Sequence, residues 1–132
     1  MAELPPSYAV ASGYLEMKSD DAWRLFKDVA GWAKLFPEWI VSIEDDDDRF
    51  TATGPNREVF DLYPKDDDEH HTLDVEVVDE LGSADTLKLR VLAMPGGSLV
   101  LIAHGKLAGM PNAAWSAKRD AIAQGLHALS AN

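Results

Sequence analysis

The sequence predicts an α+β protein in which an antiparallel sheet of six to seven strands packs on a long C-terminal helix. Two short helices are expected between the first and second strands. Three observations predict this. A segment with helical apolar spacing, residues 22–30, follows one strand-like run and precedes six more. Those six runs are joined by connections too short to hold a helix, so neighbours should pair as antiparallel hairpins in a meander. Residues 113–130 then place Trp115, Ile122, Leu126 and Leu129 at the spacing of one helix face.

Each element has its own signals. Residues 8–17 alternate loosely and carry Tyr, Val and Leu, as a first strand does. Ser19 stands where an N-cap belongs, and Asp20 and Asp21 complement the helix dipole in the first turn. Gly31 interrupts that helix. Residues 32–36 form a second short helical piece that Pro37 ends. Strands are then expected over 39–43, 49–53, 57–63, 71–79 and 86–93, each bounded by turn residues. The last strand, 98–107, follows the turn signal Met94-Pro95-Gly96-Gly97. Gly109-Met110-Pro111-Asn112 closes the strands and opens the final helix.

Length and charge bound the function. A chain of 132 residues is the size of one domain, read here as residues 1–132 with a single core. No apolar run approaches the ~20 residues of a membrane span, so stable membrane insertion is not expected. Residues 1–6 carry no secretory pattern, which makes the cytoplasm the expected compartment. The chain has no cysteine, which excludes disulfides, thiolate metal sites and a cysteine nucleophile. Twelve Lys and Arg against 23 Asp and Glu give a net charge of −11, a field that repels nucleic acid and anionic lipid. Much of the excess lies in the runs 44–48 and 66–69, which read as solvated hairpin tips. A calcium loop opening at Asp45 would put Phe50 and Asn56 at the glycine and closing positions, and one opening at Asp66 would put His71 and Val77 there. Both fail the pattern. His70 and His71 are strand neighbours that face opposite ways, so no metal is expected there, and nothing in the sequence calls for a cofactor.

The order of these elements resembles the helix-grip fold of the START-like, or SRPBCC, superfamily, which includes polyketide cyclases and birch-pollen-type plant allergens. The residues that carry the resemblance are 22–28 (Ala-Trp-Arg-Leu-Phe-Lys-Asp) at the helix start, Trp32 with Phe36-Pro37 before the second strand, and Gly96-Gly97-Ser98-Leu99-Val100 at the last strand. The resemblance spans nearly the whole chain. It implies a cavity between the sheet and the C-terminal helix, and the short loops imply that this cavity is small or partly filled.

Strand alternation says which side chains face inward. Leu73, Val75 and Val77 alternate with Asp74 and Glu76, while Leu87, Leu89 and Val91 alternate with Lys88 and Arg90. The apolar sets should face the core, leaving the charged sets to meet across the outer face. The last strand is apolar on both faces from Leu99 to Ala103, so its outer face is either covered or offered to a second copy of the chain, and a homodimer is one expectation. If Val100 and Ile102 point inward, so does His104, an imidazole able to hold or protonate a ligand. The fourth strand turns inward either Glu58, Phe60 and Leu62 or Arg57, Val59, Asp61 and Tyr63.

The first expectation for function is therefore binding of a small hydrophobic molecule, lipid-like, isoprenoid or aromatic and polyketide-like. The expected ligand contacts are Trp32, Phe36, Phe60, Leu73, Val75, Leu89, Val91, Ile102, Trp115 and Ile122. A second is an enzyme of the polyketide cyclase or dehydratase type, with His104, Glu58 and Tyr63 as the candidate catalytic groups. A third is a protein-interaction module of the chaperone-activator type, which would have a filled interior. The sequence leaves open whether any reaction is catalysed.

Overall fold

The computed structural model describes residues 7–130, so the reading of residues 1–6 lies outside the described residues. Strand β1 (Tyr8–Leu15) leads into α1 (Ser19–Lys27), a 3-10 turn (Val29–Gly31) and α2 (Trp32–Leu35). Six strands follow: β2 (Ser42–Asp45), β3 (Phe50–Thr53), β4 (Val59–Asp67), β5 (Thr72–Asp79), β6 (Ala84–Met94) and β7 (Gly97–Gly105). Helix α3 (Asn112–Ser130) ends the described chain. The strands form one antiparallel sheet in the order β1-β7-β6-β5-β4-β3-β2, a meander to which β1 is added at the β7 edge. This is the helix-grip α+β architecture.

The alternation expected for the central strands is observed. Leu73, Val75, Val77, Leu87, Leu89 and Val91 are buried. On the outer face Asp74 pairs in register with Lys88, and Arg90 donates to the Asp74 carboxylate at 2.9 Å. Helix α3 lies against β1, where Gly13 lets the backbone of Leu126 approach. Gly125 serves the same end on the helix side: a Cβ there would stand 2.5 Å from the Leu35 carbonyl and from the Phe36 ring. The core between them holds Trp32, Phe26, Phe36, Leu62, Leu89, Ile102 and Ile122. The Trp32 indole N–H, buried with them, donates to the Phe26 carbonyl at 2.8 Å.

Several boundaries differ from expectation, each for a physical reason. Lys18 occupies the N-cap position of the first helix with extended backbone and no side-chain capping bond, and Ser19 is the first helical residue. The second strand begins at Ser42, because Trp39 and Ile40 are buried in the connection before it. Strand β4 runs on through Pro64 to Asp67. Proline is tolerated there because β3 pairs with β4 only as far as Leu62, so the N–H that Pro64 lacks falls on a free edge.

The acidic run 66–69 is more than a solvated tip. Asp68 accepts from the Trp23 indole at 2.9 Å and from Lys27 Nζ at 2.8 Å, and both bonds hold its carboxyl below the usual range. His71 stacks on Trp23 with ring centroids 5.4 Å apart and reaches Asp20 at 3.3 Å. The β4–β5 turn is thereby docked on α1. Asp67 accepts from the backbone N–H of Glu69 and His70 and pairs with the His70 ring.

Candidate functional site

A cavity of about 330 Å³ opens at one end of the sheet, a size at the lower end for small-molecule sites. Its wall is assembled from five places in the chain: Glu38 and Trp39 before β2, the β3–β4 turn with Pro55, Asn56 and Glu58, and strand residues Val59, Phe60, Val77 and Asp79, together with Leu107, Gly109, Met110 and Pro111 of the β7–α3 connection and Ala114, Ala117 and Lys118 of α3. Trp39 stacks on Phe60 at 5.7 Å, nearly parallel, and leans on Trp32 and Phe36 at 6.1 and 6.3 Å. One face of this aromatic group thus belongs to the core and the other to the cavity.

Lys118 is the feature of the wall that sequence reasoning passed over. It is 3% exposed, and its Nζ lies 5.3 Å from the Trp39 ring centroid and 5.7 Å from that of Trp115. Nζ donates to the Gly105 carbonyl at 3.1 Å, while the Gly105 N–H donates to Asp85 at 2.8 Å. No ion pair within 4.0 Å holds Lys118 among the described residues. Burial pushes its pKa down to about 8, and the carboxylate of Asp85 offsets only part of that effect. The signal was in the sequence: 115, 118 and 122 fall on one helix face, so a lysine sits inside the apolar stripe.

His104 faces inward beside Val100 and Ile102 and is buried. Its ring meets Trp115 edge-on at 5.3 Å, and its Nδ1 is buried with no hydrogen-bond partner among the described residues. Burial first, then the charges of Lys118 and Arg119, lower its pKa to about 3, so at neutral pH it is a neutral imidazole. Glu58 is exposed at the rim of the cavity, where it accepts from the Asn56 N–H at 3.0 Å. Tyr63 stands on the opposite face of β4 from Phe60 and Leu62, 38% exposed and away from the cavity. Of the ten expected ligand contacts, Phe60 lies in the wall. Trp32, Phe36, Leu73, Val75, Leu89, Val91, Ile102, Trp115 and Ile122 are buried outside it, because α3 packs tightly enough on the sheet to fill the middle of the fold.

Solved structures share this architecture. An uncharacterised protein from Bacillus thuringiensis superposes with a TM-score of 0.75 at 14% identity, covering 95% of this chain and 97% of that one. A START superfamily protein from Mycobacterium smegmatis gives 0.68 at 10% identity over 95% and 97% of the two chains. The di-domain aromatase/cyclase BexL of the BE-7585A biosynthetic pathway gives 0.68 at 15% identity, with 95% of this chain matching 45% of that one. No family model and no curated protein sequence matches the chain. At these identities the likeness establishes the fold, and the fold is the START-like one. No helix among the described residues is long and apolar enough to cross a membrane.

Proposed function

We propose that this protein binds a small, largely apolar molecule in the cavity at the end of the sheet. The observation that carries the reading is the cavity itself: about 330 Å³, walled mainly by Trp39, Phe60, Val77, Leu107, Met110 and alanines of α3, with one buried cation. An apolar wall with a few fixed polar groups is the usual composition of a small-molecule site. The likeness to a START superfamily protein and to an aromatase/cyclase supports it, and within this reading the cysteine-free chain is assigned to the cytoplasm. Phe60 is the expected ligand contact that the reading retains.

The test is direct. Protein purified from its own host is measured by native mass spectrometry, and any bound molecule is released by denaturing extraction and identified. In parallel, 2-naphthalenemethanol serves as a fluorescent apolar probe read by anisotropy. Ala114 lines the cavity and is half-buried, so Ala114→Phe fills the space from the helix surface with little demand on the core. The variant is expected to bind the probe at least about tenfold more weakly than wild type, a loss of roughly 1.4 kcal/mol. Equal binding by the two proteins would remove the cavity from the reading.

A second reading, self-association, is favoured by the outer face of β1, β7 and β6. Val10 is 71% exposed there, and Tyr14, Leu92 and Met94 join it around the half-buried Leu99 and Leu101. A second copy of the chain is the proposed occupant.

A further inference from the structure

We infer that Lys118 is a nucleophilic amine that captures the carbonyl group of a neutral, apolar aldehyde or ketone as an imine, an inference that rests on the ligand-binding reading above. The geometry is that of an amine set into an apolar wall. Lys118 lines the cavity together with Trp39, and its Nζ lies over the Trp39 ring and over Trp115. Of its three N–H positions, one is engaged by the Gly105 carbonyl, the single acceptor recorded for it among the described residues. A lysine kept to support an ion pair would have a carboxylate at Nζ, and none lies within 4.0 Å among the described residues. Desolvation leaves a substantial neutral fraction near physiological pH, the form that attacks carbonyls.

Electrostatics select the ligand class. Glu38, Glu58 and Asp79 line the same cavity, and the chain carries a net charge of −11. An anionic ligand would have to pass these carboxylates to reach the buried Lys118 cation, whereas a neutral carbonyl compound meets no such barrier. The step balances without redox chemistry. The Nζ lone pair adds to the carbonyl carbon as the C=O π pair moves to oxygen. One proton passes from nitrogen to that oxygen to give a carbinolamine, and the hydroxyl then leaves as water with a second proton from nitrogen. One C=O and one H₂N are replaced by one C=N and one H₂O. The product holds an apolar ligand covalently and reversibly, and it acidifies the C–H bonds next to the former carbonyl.

The experiment uses the full chain, 2-naphthaldehyde as the carbonyl probe, and cyanoborohydride to fix any imine at neutral pH. The expected result is a single adduct, heavier than the protein by the aldehyde less one oxygen, that peptide mapping places on Lys118. Lys118→Arg and Lys118→Met, which keep the bulk of the stem without the amine, are expected to lose it. Circular dichroism and thermal unfolding report on the folding of both variants, and binding of 2-naphthalenemethanol, which has no carbonyl, by wild type reports on the cavity independently of the amine. Labelling of Lys118 no faster than of exposed lysines such as Lys65 and Lys88 overturns the proposal. So does tighter binding of 2-naphthoate than of the alcohol without an adduct, which would make Lys118 an anion anchor. In either case retained binding of the alcohol leaves the ligand-binding reading standing, and loss of that binding in wild type counts against the reading itself.

Discussion

Burying the Lys118 ammonium costs folding free energy, and that cost depends on pH. Its pKa is lowered to about 8 in the folded protein against 10.5 for a free lysine. Between these values the unfolded chain holds a proton that the folded chain has released, so this group makes stability rise with pH across that window. Below about pH 8 the charged form must be carried in the fold. The groups around it are Asp85 at the start of β6, His104 on β7, Arg119 beside it on α3, and the carboxylates of the cavity wall. Measured by urea unfolding, wild type is expected to gain on Lys118→Met by on the order of 3 kcal/mol from pH 7.5 to pH 10.5, since other titrations are common to both chains. A flat difference would place the ammonium in contact with water. Lys118 was legible as a lysine within an apolar helix stripe. Its use was not, because Trp39 and the β7–α3 connection that complete its surroundings are brought to it only by the sheet.

Among the elements, the approach of α3 to the end of α2 is a tight constraint. Gly125 is buried, and a methyl group there would meet a backbone carbonyl, which cannot swing aside as a side chain can. Gly125→Ala is expected to destabilise the protein by about 2 kcal/mol, after the helix-propensity gain of about 1 kcal/mol is offset by strain. Gln124→Ala, on the exposed face next to it, is the control and should be close to neutral. Thermal unfolding of the pair separates packing from propensity. The elements themselves were readable from alternation in β5 and β6 and from the Pro-Gly turn before β7, where local sequence and burial agree. Boundaries failed where tertiary packing overrode local pattern. Trp39 and Ile40 look like a strand start because they are apolar, yet they are apolar because the connection carrying them is buried.

For the whole molecule, the sheet closes its concave side on α3 and leaves its outer side to solvent, and the two sides carry different expectations. The apolar outer face around Val10 and Leu101 argues for pairing of two copies. Light scattering after size exclusion is expected to give a dimer mass for wild type and a monomer mass for Val10→Glu, which puts a charge at the most exposed point of the patch. A monomer at all concentrations would assign the patch no partner of its own kind. The charge of −11 was readable in composition, but which acids are solvated was not. Asp68 is held by Trp23 and Lys27 from a helix more than forty residues earlier in the chain. The cavity's place was equally hidden. Inward alternation names the residues of the concave side without saying where α3 leaves them uncovered, and that gap falls at the start of the helix, beyond the strands' most apolar stretch.

The backbone of Gly105 is gripped on both sides of its Cα, its N–H by Asp85 and its carbonyl by Lys118. Consumption of the amine by a bound molecule would slacken one grip and leave the other in place, changing the polarisation of a single main-chain amide at the last residue of β7. On the imine reading the Gly105 carbonyl is therefore a local gauge of cavity occupancy, read at the last residue of β7.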